Sequence, residues 1–166
     1  MIKFLKIRDV KTPKRNIGDA GIDFFVPNYS KQFEKDLRNK NKNIFITEQC
    51  FSVEPHGAVL IPTGIKSEFS DNIVLVSMNK SGICTKTQLV VGACVIDSSY
   101  QGEWHIHLIN TSNTSVAIEY GTKIVQFVPI ELDTELIQVF EDIPESEFFT
   151  TKSDRGEGGF GSTGIK

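Results

Sequence analysis

The chain has 166 residues, 39% hydrophobic and 23% charged, which suits one globular domain large enough to bury a core without staples. A formal charge of −3 argues against a protein that coats nucleic acid. Three cysteines without a C-x-x-C pair, and no apolar leader or membrane-length run, lead to the expectation of a cytoplasmic protein that meets no membrane.

In chain order, AGIDFFVP is the first clear strand, interrupted by a charge at Asp23. NYSKQFEKDLRNKNKN, residues 28–43, breaks the β pattern with five basic and two acidic side chains. Phe33 and Leu37 stand one helical turn apart in it, so it reads as a short amphipathic helix or polar insertion on a solvated surface. NIFIT, AVLIPTGIK, NIVLVSM, LVVGACVID, EWHIHLIN, SVAIE, KIVQFVPI and LIQVF follow as strands, with turns at 55–57, 71–72 and 120–121. About nine strands with little helical period predict an all-β fold, a sandwich, barrel or jelly roll. ELDTELIQVFEDIPESE has seven acidic residues and no basic ones, and reads as a solvated strand and linker. The expected division is a β domain over 1–147, then a linker and glycine-rich arm over 148–166.

The chemistry is spread along these elements. Asp23 needs a cationic partner or a metal if it is buried. Lys80-Ser81-Gly82 ends a strand with a cation, a hydroxyl and open backbone, a weak phosphate grip on its own. Asp97 follows an apolar strand and precedes Ser-Ser-Tyr-Gln-Gly, where a carboxylate can act as a general base or simply cap a turn. His105 and His107 have an H-x-H spacing without further ligands, which favours a polar strand face over a metal site. From Gly156 the tail reads G-x-x-x-x-G-S-T, a phosphate loop without its lysine and with no helix to follow.

Taken in order, AGID, NKSG, VIDSSYQGE, GTKIVQF and RGEGGFGSTG resemble the five motifs of the trimeric dUTP pyrophosphatases (dUTPases), over nearly the whole chain. The resemblance implies a distorted jelly-roll fold, a homotrimer with shared active sites, and Mg²⁺-dependent hydrolysis of dUTP to dUMP and pyrophosphate. In those roles Asp97 would deprotonate the attacking water, and Asp23 would hold the hydrated metal indirectly. Lys80, Ser81, Gly82 and Gln126 would meet the phosphates, backbone groups of Ala93 and Val95 would read uracil, and Tyr100 would pack on the sugar. From the terminal arm, Arg155, Gly161, Ser162 and Thr163 would contact phosphate and Phe160 would stack on the base. Lys80 stands where the family commonly has arginine, and Cys94 where many members have glycine. Two rival expectations are a dCTP deaminase, alone or bifunctional, with Glu103 or Glu119 shuttling protons, and a trimeric regulatory binding module.

Overall fold

A computed structural model describes residues 1–133, 144–149 and 151. The chain divides into two compact units, Met1–Leu132 and Asp133–Lys166. In the second unit the described element is a short helix, Glu145–Phe148, numbered α3 below. The predicted strand LIQVF lies outside the described residues, as does the glycine-rich arm.

The first unit is β-rich. In chain order its strands are β1 Lys3–Lys6, β2 Ile22–Phe25, β3 Phe45–Ile46, β4 Cys50–Val53, β5 Ala58–Pro62, β6 Ile65–Glu68 and β7 Ile73–Asn79. They continue with β8 Leu89–Val91, β9 Val95–Ile96, β10 His105–Asn110, β11 Val116–Glu119 and β12 Lys123–Glu131. Helix α1, Lys31–Lys40, lies between β2 and β3, and α2, Ser81–Thr87, between β7 and β8. All strand pairing among the described residues is antiparallel, in sheets ordered β1-β6, β5-β10-β8, β11-β4-β3 and β2-β12-β7-β9. The all-β expectation holds.

Alternation fixes which faces turn inward. In β10, Ile106, Leu108 and Asn110 are buried while His105, His107 and Ile109 are only partly covered. Trp104 lies flat on Phe24, with ring centroids 5.2 Å apart and planes 7° from parallel, and Phe127 and Phe4 close around the pair. These rings join the strands of different sheets into one core.

The 28–43 segment contains a real helix. Ser30 Oγ accepts the Phe33 N–H at 3.1 Å as an N-cap, and Phe33 and Leu37 are buried on the inner face. At the far end, Asn41 accepts the Leu60 N–H at 2.7 Å and donates to the Leu60 carbonyl at 2.9 Å. One side chain thus pairs with the edge of β5 as a neighbouring strand would. The charged face is solvated, as the sequence suggests, but the inner face belongs to the core.

Candidate active site

The four-stranded sheet positions the first group of residues. β2 runs Ile-Asp-Phe through the interior, so Asp23 is buried among apolar neighbours and its charge must be compensated. Two lysines do this. Lys80, just beyond β7, donates to Oδ1, and Lys123, at the start of β12, donates to Oδ2 at 2.8 Å. Burial pushes the Asp23 carboxyl up, but the hydrogen bonds from Lys123 and Lys80 more than reverse this and hold it below the usual range.

Gln126 stands opposite Asp23 on β12 and donates to the Asn79 carbonyl at 3.1 Å. Its position depends on Gly21, because a Cβ there would fall 2.5 Å from Gln126 Oε1. Ser81 and Gly82 open α2 and are exposed beside Lys80. Asp23, Lys80, Ser81, Gly82 and Gln126 are therefore gathered at one end of this sheet, with Lys123 added. Lys123 had no assigned role in the sequence reading. The signal for it was the need of a buried strand carboxylate for more than one donor.

The second group lies on the other side of β7, around the β8–β9 turn and beyond β9. The turn between β8 and β9 is held on β7 by the Ser77 N–H, which donates to the Cys94 carbonyl at 2.7 Å, and Asn79 Oδ1 accepts the Val91 N–H at 2.7 Å. The Ala93 N–H donates to His107 Nδ1 at 3.0 Å, so in neutral His107 the proton is on Nε2. Val95 is exposed on β9. Asp97 is exposed just after β9, its carbonyl accepting the Tyr100 N–H at 3.1 Å in a turn. The Tyr100 hydroxyl donates to the Glu103 carbonyl at 3.0 Å and leaves the ring partly exposed.

The strand register separates Asp97 from the first group. Ile96 pairs with Leu75, which puts Asp97 level with Val74, whereas Asp23 is level with Met78 through Gln126. Four residues along a strand and three strand spacings across the β2-β12-β7-β9 sheet amount to about 20 Å between Asp97 and Asp23 within one chain. That exceeds the reach of a triphosphate. Arg155, Phe160, Gly161, Ser162 and Thr163 lie outside the described residues.

Among the described residues, no three His, Cys, Asp or Glu side chains converge as a metal cage. Mg²⁺ commonly keeps several waters and is held by one or two carboxylates plus substrate phosphates. The donor set fits a cation of that kind: each Asp23 oxygen holds one lysine and has a lone pair left for a metal-bound water. His105 Nδ1 is instead 2.9 Å from the Glu103 carbonyl, and burial pushes its ring pKa down.

Glu103 is also committed. Its Oε1 accepts from Arg8 Nε and from the Gly64 N–H, both at 2.7 Å, and Oε2 accepts from Arg8 Nη2 at 2.8 Å. Burial pushes its carboxyl up, and the bonds from Arg8 and Gly64 outweigh that and hold it low. No helix among the described residues is long and apolar enough to cross a membrane.

Comparison with known proteins bears on the family and the fold. The dUTPase family model matches residues 46–164. A deoxyuridine 5'-triphosphate nucleotidohydrolase of Actinobacillus pleuropneumoniae is 33% identical over 150 residues, covering 89% of this chain and 92% of its own. The same-named protein of Haemophilus influenzae is 31% identical over 163 residues, covering 96% and 99%. Among solved structures, the Staphylococcus bacteriophage 80alpha dUTPase with dUPNHPP superposes with a TM-score of 0.74 at 23% identity, covering 99% of each chain. A phage phi11 dUTPase, whose structure details the coordination of a structural Mg(II) ion, superposes at 0.66 with 19% identity, covering 86% of this chain and 98% of its own. With matching sequence over most of its length and the matching β fold, the chain belongs to the dUTPase family.

Proposed function

We propose that the chain hydrolyses dUTP to dUMP and pyrophosphate, through a site assembled from several copies of itself. The carrying observation is the cluster of Asp23, Lys80, Ser81 and Gln126 at one end of the β2-β12-β7-β9 sheet, with Asp97 about 20 Å away. A triphosphate gripped at one end cannot reach the Asp97 of the same chain, so Asp97 comes from a second copy. A cyclic homotrimer satisfies this with three equivalent sites.

In this reading Lys80, Ser81, the Gly82 N–H and Gln126 hold the phosphates, and Lys123 keeps Asp23 ionised beside them. Asp97 takes a proton from water as the water oxygen bonds to the α-phosphorus. The bond from that phosphorus to the α–β bridging oxygen breaks, and pyrophosphate leaves with the electron pair. Asp23 would hold a hydrated Mg²⁺ indirectly beside the phosphates, and the ion would supply charge neutralisation and alignment there. Tyr100 packs on the sugar, and backbone groups around Ala93 and Val95 read the uracil edge, which cytosine would leave mispaired. The C-terminal arm, 148–166, closes over the nucleotide, with Arg155, Gly161, Ser162 and Thr163 on the phosphates and Phe160 on the base. Three free cysteines suit a reducing, cytoplasmic setting.

The deaminase reading finds less support. Glu103 has both oxygens tied to Arg8 and Gly64, and Glu119 lies exposed on β11 in another sheet. The test is incubation with Mg²⁺ and each nucleoside triphosphate separately, with identification of the products. Only dUTP should be turned over readily, and a chelator should abolish the activity. Conversion of dCTP to a uracil nucleotide, or release of inorganic phosphate, would overturn the reading.

A further inference from the structure

Helix α1 takes no part in the phosphate end of the sheet, yet it is connected to the turn that carries Asp97. Arg8 makes the connection. Its Nη1 meets Asp36 Oδ2 on α1 at 2.7 Å, while Nε and Nη2 take Glu103 in the two-pronged pair. The side chains of Arg8, Asp36 and Glu103 are 17%, 25% and 15% exposed, so water competes little for these contacts. From Glu103 the path continues through backbone: its carbonyl accepts the Tyr100 hydroxyl, and the Tyr100 N–H returns to the Asp97 carbonyl.

Both ends of this path are anchored. On α1, Phe33 and Leu37 are buried and Asn41 is bonded to Leu60 on β5, so Asp36 stands on a helix fixed to the core. At Arg8, the passage depends on Gly64, whose φ is +73° and whose hypothetical Cβ would lie 2.8 Å from Arg8 Cβ. A half-buried ionic bridge of this kind adds little net stability, because desolvation offsets much of its attraction. Its geometric effect is larger, since three planar contacts fix the direction of Glu103.

We infer that α1 is the anchor of the catalytic turn: the Asp36–Arg8–Glu103 bridge holds residues 97–103 where Asp97 can serve the water. Arg8 and Asp36 are then positioning residues that never touch the nucleotide. This inference rests on the assignment of Asp97 as the general base. A displacement near 1 Å at a reacting group can cost up to ~10²-fold in rate. A turn loosened at one end, with its hairpin still paired to β7, loses less.

The experiment compares the full-length chain with Arg8→Met, Arg8→Lys, Asp36→Asn and a control, Glu34→Gln. Glu34 is on the same helix but pairs with Lys31 and Arg38. For Arg8→Met, kcat for dUTP should fall ~10-fold with KM within about twofold, the pattern of a lost transition-state contact. Arg8→Lys should recover part of the loss, Asp36→Asn should lower kcat about threefold, and the control should leave it unchanged.

Amide hydrogen exchange supplies the readout that does not need activity. Exchange across 98–103 should accelerate in Arg8→Met and in Asp36→Asn, with the amides of β12 as slow as in the parent chain. Unchanged exchange in that turn would overturn the proposal, as would a lowered melting temperature with kcat intact. Should the unaltered chain fail to turn over dUTP, the assignment of Asp97 falls, and exchange still judges the bridge. Asp36→Asn leaves the Arg8–Glu103 pair in place, so it tests the anchor even if Arg8→Met does not fold.

Discussion

Replacing Asp23 with asparagine tests the electrostatics of the Asp23–Lys80–Lys123 cluster directly. The wild-type carboxylate is buried, with its side chain 8% exposed, and it neutralises Lys80 and Lys123, whose side chains are 25% and 46% exposed. Asparagine keeps the shape but leaves two neighbouring ammonium groups without a counter-charge. Breaking a fully buried pair costs ~3–5 kcal/mol, and an exposed pair is worth under ~1 kcal/mol. Both lysines can swing towards water, so the expected loss lies between these limits, about 2 kcal/mol. For a chain of this size that lowers Tm by ~4–8 °C. Trp104, the sole tryptophan and fully buried, reports unfolding by fluorescence.

The pH dependence carries a sign. A carboxylate whose pKa is depressed in the fold adds stability that is complete above its unfolded pKa of about 3.9 and is lost as pH falls through the folded value. The gap between wild type and Asp23→Asn should therefore be full at pH 7 and close below about pH 4. Equal melting temperatures at pH 7, or a gap that persists undiminished through the acid range, would refute the reasoning.

Asp97→Asn should retain nucleotide binding, measured with a non-hydrolysable analogue, while turnover drops ~10²-fold or more; near-normal turnover would return Asp97 to a turn-capping role. Mixed assemblies of Asp97→Asn chains with chains ending at residue 153 should regain activity that neither has alone, and verified mixed trimers that stay inactive would refute a shared site. Gly21→Ala should displace Gln126, because the new methyl would sit 2.5 Å from its Oε1, and should raise the KM for dUTP without unfolding the chain. An unchanged KM there would remove Gln126 from the phosphate site.

Much of this was legible from residue order, for physical reasons that differ by element. Strand alternation at 104–109 and the turn chemistry at 55–57 are local signals, and both match the structure. The pairing of Phe33 with Leu37 correctly marked α1, but its charged composition concealed how firmly the helix is attached. Asn41 and Arg8, single polar residues, add to the burial of Phe33 and Leu37: Asn41 bonds Leu60, and Arg8 ties Asp36 on the helix to Glu103, 95 positions from Arg8. Helix α2 was missed because Ser81–Thr87 has no buried residue and hence no apolar period to detect. At the site, the need of Asp23 for a partner was readable, whereas the choice of Lys80 and Lys123 depends on β12 lying between β2 and β7. The distance between Asp97 and Asp23 follows from strand register, which no local motif encodes.

Hydrolysis of dUTP with Mg²⁺ in ¹⁸O-labelled water tests the central claim most directly, since the position of the label reports which phosphorus is attacked. Attack at the α-phosphorus, with Asp97 as base, predicts one ¹⁸O in dUMP and none in pyrophosphate. Label in the pyrophosphate, or dUTP recovered unchanged from the correctly folded protein, would contradict the account.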